Sequence, residues 1–195
     1  MIKSLPALTL ALAFVFCAGP ARADSPLPAN PELLNGDFTA GPDSGWTLAR
    51  RDFAGSSEIK PLPDGGITAR KVMCGYARLA QRVDLPDLRR LFTTSIRTRA
   101  SVNSPGYHGY AALVLGWLDA DGNLLGETRW YTRSGRYAPR ANGNHRATEL
   151  PTSSGWHDIE LDIADELRKF TGFTPASVRG MTIAYEAFGS GTSAC

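Results

Sequence analysis

The residues best suited to chemistry lie between Thr128 and Arg146, where Trp130, Tyr131 and Tyr137 stand among Arg129, Arg133, Arg136, Arg140 and Arg146. Aromatic rings offer flat apolar faces, and each guanidinium offers a planar fork of donors. The combination suits a sugar whose C–H faces lie against rings and whose hydroxyls or carboxylates accept hydrogen bonds. Tyr107 and His108, next to Pro105-Gly106, would stand at its rim. Ser134 to Asn144 carries Gly135, Pro139 and Gly143 and reads as a loop, where binding residues concentrate. The plain alternative is that the aromatics pack a core and the arginines are solvated. Trp46, Trp117 and Trp156, each placed at or inside a strand pattern, are assigned to the core.

Catalytic chemistry has weaker support. Glycoside hydrolysis needs two carboxylates about 5–9.5 Å apart across a cleft, and Glu127, Glu149, Glu160 and Glu186 are available without any spacing that pairs them. A sugar lyase could use Tyr131 or Tyr137 as base, with Arg133 and His145 neutralising a uronate. The chain contains neither a Gly-x-Ser-x-Gly elbow nor a His-Glu-x-x-His pair. Asp119, Asp121 and Asn123 imitate the start of a calcium loop, but the sixth and twelfth positions hold Leu124 and Trp130, so the segment reads as a hairpin turn.

Residues 1–23 read as an export signal, with Lys3 at the start, an apolar Leu8–Val15 core and Ala21-Arg22-Ala23 before the cut. Acylation of Cys17 is the competing reading, disfavoured by the bulky Phe16 before it. No apolar run reaches the roughly 20 residues that span a bilayer. Loss of Lys3 and Arg22 leaves 19 basic residues against 19 acidic ones. That neutral balance argues against nucleic acid or an anionic membrane as a partner held by charge. The expected location is the periplasm or the medium. Cys74 and Cys195 remain after cleavage and are expected to form a disulfide, worth about 2–4 kcal/mol.

The elements that must position these residues are strands. Residues 24–31 hold three prolines and read as an extended leader to one domain over 32–195. From Leu91 to Val102, Phe92, Ile96, Ala100 and Val102 alternate with Thr93, Ser95, Arg97 and Arg99. Tyr110–Leu118 is apolar on both faces, as a central strand should be, and leads through Asp119–Asn123 into Leu124–Tyr131. His157, Ile159, Leu161 and Ile163 alternate with Trp156, Asp158, Glu160 and Asp162, and Met181–Phe188 forms the last strand. Ala164–Phe170 has helical character, expected as a short surface turn. Many strands with almost no helix imply an all-β sandwich or barrel.

Taken in order, Leu33-Leu34-Asn35-Gly36-Asp37-Phe38 with Gly45-Trp46, then Tyr76–Leu85, Gly116–Gly122, Gly155–Leu161 and Gly189-Ser190-Gly191-Thr192 resemble the galactose-binding-like jelly rolls, which include secreted carbohydrate-binding modules. The resemblance implies a jelly-roll β-sandwich of two antiparallel sheets and a glycan ligand. In some members a structural calcium ion sits between the opening segment and the last strand. Asp37 is the one calcium ligand carried over here, because Thr39 stands where an acid is usual and a further strand would normally follow the Gly-Thr step. The resemblance therefore also implies an open sheet edge that a protein partner could use.

The sequence reading is thus an exported, non-catalytic domain that binds a poly- or oligosaccharide through Arg129, Trp130, Tyr131, Arg133, Tyr137 and Tyr107 and requires no cofactor. A structural or protein-binding envelope component, and a polysaccharide lyase or glycoside hydrolase, are the alternatives.

Overall fold

The computed structural model describes residues 29–30, 33–62, 66–98, 100, 107–135, 138–139, 141–151 and 155–191. Its centre is the segment that is apolar on both faces, β7 (Tyr107–Leu118), which pairs antiparallel with β8 (Leu124–Ser134) on one side and β11 (Gly180–Gly191) on the other. β11 pairs in turn with β5 (Gly75–Asp84), and β5 with β2 (Thr47–Asp52). Antiparallel pairing gives way to parallel pairing at both borders. β1 (Ala29–Asn30), the end of the leader, runs beside Arg82–Val83, and β9 (His145–Glu149) runs beside Glu127–Tyr131. Parallel pairing of β9 with β8 needs a longer connection than a two-residue hairpin, which would reverse the strand direction.

The turn between β7 and β8 closes as its residue types demand. Gly122 adopts φ 84°, and Asp119 Oδ1 accepts from the amides of Asp121 (2.9 Å) and Asn123 (2.8 Å). The Asp119 carboxylate is therefore spent inside the turn, as expected of a hairpin and not of a calcium loop.

A second layer covers one face of this sheet. β6 (Leu91–Ile96) and β10 (His157–Asp162) form an antiparallel ribbon, and β3 (Ser56–Pro61) and β4 (Ile67–Val72) form a separate hairpin. Alternation turns Phe92, Ile96, Ile159 and Leu161 inward, onto Leu79, Leu113, Leu115, Trp117 and Ile183 of the large sheet. The result is an all-β sandwich consistent with a jelly roll. Among the described residues there is one short α-helix, and none is long and apolar enough to cross a membrane.

That helix, α1 (Ile163–Leu167), differs from the expected surface turn. Asp162 caps it by accepting from the Asp165 amide at 2.8 Å, and Ile163 and Leu167, four residues apart, both point into the core. The i,i+4 spacing gives even a five-residue helix one apolar side, which closes an end of the sandwich. The last strand is itself not an edge, because β11 lies between β5 and β7. In the large sheet the outermost described strands are β9 on one border and β1 and β2 on the other.

The opening Leu33–Phe38 segment is held to the large sheet by one side chain. Gln81, 1% exposed, accepts from the Leu34 amide (2.7 Å) and donates to the carbonyls of Leu34 (3.0 Å) and Gly45 (2.8 Å). Trp46 Nε1 donates to the Asn35 carbonyl, and its ring packs 4.8 Å from Phe38. Replacing Gln81 with Leu keeps the bulk but leaves three backbone groups without their partner. The expected cost is about 1–3 kcal/mol, read as a lowered denaturant midpoint at unchanged slope.

Candidate functional site

The two-residue period of β8 divides the expected ligand surface between opposite faces of the large sheet. Trp130 faces the core between the layers, whereas Arg129, Tyr131 and Arg133 point to the other face. There Arg129, its side chain 13% exposed, donates through Nη2 to Glu127 (2.6 Å) and lies 3.6 Å from Glu186, which also faces Arg78 at 3.2 Å. Tyr110 donates to Glu186 at 3.1 Å. Burial opposes the charge on Arg129, but Glu186, Glu127 and Tyr110 outweigh it and hold the guanidinium above its ordinary value. These charges are matched to one another within the structure.

The remaining predicted residues follow the same division. Tyr131 is buried beside Ala112 and Val114, and burial first, then Glu149, pushes its phenol up. Arg133 is paired with Glu149 at 3.0 Å, and Arg146, on the core side, with Glu166 at 3.0 Å. Tyr107 opens β7, but its side chain lies outside the description, as do Arg136, Tyr137 and Arg140.

Trp156 reverses its expected role. The other two tryptophans assigned to the core are there, Trp46 at 6% and Trp117 at 0% exposure, but Trp156 is 57% exposed. It stands on the outward face of the β10 segment with Asp158 and Glu160, and the Arg97 guanidinium lies 5.1 Å over its ring. The signal was present in the alternation itself, which groups Trp156 with the acids and opposite Ile159 and Leu161.

Trp156 and half-buried Trp130 both line an open trough of about 450 Å³ beside β10. Its other main groups are Thr148, Leu150, Asp158 and Glu160. His157 also reaches it, and His157 Nε2 is buried without a hydrogen-bond partner. Two rings, a hydroxyl and two carboxylates can hold a polyhydroxylated molecule by stacking and by accepting from its hydroxyls. The two acids sit two residues apart on one strand, and the facing Trp130, Thr148 and Leu150 supply no third. Among the described residues, the trough therefore shows no opposed carboxylates of the kind glycoside hydrolysis uses. Of the other acids considered, Glu127 and Glu186 share Arg129, and Glu149 is taken by Arg133.

Asp37 is exposed, and Thr39 bonds its carboxylate through the amide (3.1 Å) and the hydroxyl (3.0 Å), holding it below the usual carboxylate range. No group of three His, Cys, Asp or Glu suited to a metal ion occurs among the described residues. Cys74 is fully buried at the start of β5, and Cys195 lies outside the described residues.

No family model matches the chain, and no curated protein does. Among solved structures it is similar to a loop-swap mutant of Xyn11A from Necallimastix patriciarum, at 11% identity and a TM-score of 0.40, over 73% of this chain and 83% of that one. A family 11 carbohydrate-binding module from Clostridium thermocellum, in complex with a β-1,3-1,4-mixed-linked tetrasaccharide, is similar at 15% identity and a TM-score of 0.34, over 81% and 91%. Likeness at this level does not bear on the ligand of this chain, which has to be judged from its own residues.

The two faces should respond differently to truncation. Arg129→Met takes the guanidinium away from buried Glu127 and leaves Glu186 with Arg78 and Tyr110, and is expected to cost about 3–5 kcal/mol in denaturant melts, whereas Trp156→Ala should change stability by no more than about 0.5 kcal/mol.

Proposed function

We propose that this chain is an exported, non-catalytic carbohydrate-binding domain of galactose-binding-like type, and that it holds its glycan in the trough between Trp130 and Trp156. The observation that carries the reading is a tryptophan that is 57% exposed immediately before a strand that obeys apolar-in, polar-out alternation. A sugar's C–H face fits a flat exposed ring whose neighbours are acceptors. Asp158, Glu160 and Thr148 supply acceptors beside the rings, and a trough of about 450 Å³ is within the usual size of a small-ligand site.

Tryptophan fluorescence titrated with a panel of neutral and acidic polysaccharides tests this. At least one should bind saturably, and Trp156→Ala should weaken it tenfold or more, about 1.4 kcal/mol, without shifting the thermal melt; Trp130→Ala should weaken it too, with a lowered melt because its ring packs against the core. A chelator should leave both binding and melting unchanged, since no metal takes part in this reading. Silence across the panel would sink the proposal, and release of reducing or unsaturated ends would replace it with catalysis.

The Cys74–Cys195 disulfide belongs to the same proposal of an exported chain. Alkylation without reductant should then label neither thiol, and Cys74→Ala should cost about 2–4 kcal/mol.

A further inference from the structure

The second layer is interrupted. β4 pairs only with β3, and β6 only with β10, so each presents an outer edge with no ladder partner among the described residues. Both edges line one cleft of about 1380 Å³, with Ile67–Lys71 on one side and Thr94–Arg97 on the other. Its floor is the core face of β7 and β11. There Leu113 and Tyr185 form one cross-strand pair, and Ala111 and Ala187 form the next. The step from a large pair to two methyl groups leaves a depression sized for an apolar side chain. Thr98 Oγ1, which also lines the cleft, is buried with no hydrogen-bond partner.

The outer rim carries charge of one sign. Ile67 packs inward, so Arg70, three residues on, points outward on β4, and the Glu58 carboxylate directly across from it is taken by Lys60. Arg97 lies over the Trp156 ring. Neither guanidinium has a carboxylate partner among the described residues. Lys71 is bound to Asp52 with its side chain 1% exposed, and Glu186, the one acid along the cleft among the described residues, is bound to Arg78 on the far face of the sheet.

We propose that this cleft is a slot for an extended peptide strand from a partner polypeptide, bound by main-chain hydrogen bonds to β4 and β6. Two strand edges facing each other across an apolar floor match the donor and acceptor repeat of a β-strand better than that of a sugar chain. The five residues Ile67–Lys71 offer an edge about 16 Å long. Alternate side chains of the incoming strand would be apolar, entering the depression at Ala111 and Ala187. The others would be acidic, lying outward between Arg70 and Arg97.

The probe is a fluorescein-labelled hexapeptide of alternating Asp and Val, followed by fluorescence anisotropy and by amide hydrogen exchange of the full chain. Saturable binding is expected, weakened at least tenfold by Arg70→Glu and abolished when alternate peptide amides are N-methylated. Exchange should slow at residues 67–71 and 94–97. Trp130→Ala should leave the peptide bound, so the slot and the glycan trough can fail separately. No binding, binding indifferent to N-methylation, or protection of these edges by a polysaccharide in place of the peptide would each overturn the proposal.

Discussion

Burial of both faces of the β5–β11–β7–β8 sheet is the constraint on which the rest of this structure depends. One face is apolar and carries the second layer. The other is buried as well, yet β5, β7, β8 and β11 place Arg78, Tyr110, Arg129 and Glu186 on it. A buried charge is tolerated only when it is paired and hydrogen-bonded, so these groups must complement one another across adjacent strands. Cross-strand register achieves this, since Arg78 stands directly opposite Glu186, and Arg129 reaches both Glu186 and Glu127. The arginines that look most like ligand contacts in the sequence are thereby committed to the fold.

Recognition then falls to the second layer, which is thin. A two-stranded ribbon and a two-stranded hairpin cannot cover a sheet six strands across, and the uncovered lanes become a trough on the β10 side and a cleft on the β6 side. Two-stranded units are marginal alone. Here Phe92, Ile96, Ile159 and Leu161 anchor the ribbon, Ile59 and Ile67 anchor the hairpin, and α1 closes one end. Because these anchors point inward, the outward positions of the same strands are free to carry Arg70, Arg97, Trp156, Asp158 and Glu160.

Much of the fold was legible in the chain. Two-sided apolarity marked Tyr110–Leu118 as the central strand, and Asp119–Asn123 held the residue types of a hairpin turn. Alternation in His157–Ile163 separated core from surface correctly, and even showed Trp156 on the wet side, although its place at the start of a strand assigned it inward. The short helix was visible, but its burial was not, because Ile163 and Leu167 look like any apolar pair until a core end needs closing. The structure divides the expected ligand surface for a plain reason: Arg129, Trp130 and Tyr131 are neighbours in sequence, and consecutive strand residues face opposite ways.

By itself the sequence determined the local facts: where strands run, where they turn, and which side of each is apolar, since these follow from side-chain period and turn chemistry within a few residues. Only the tertiary structure decided which faces meet. It placed a second buried layer of charge on the far side of the large sheet, set Trp130 and Trp156 along one trough, and left β4 and β6 each with one edge unpaired among the described residues. Those outcomes depend on pairings such as Arg78 with Glu186, more than 100 residues apart. Periodicity along the chain carries no record of a partner that distant.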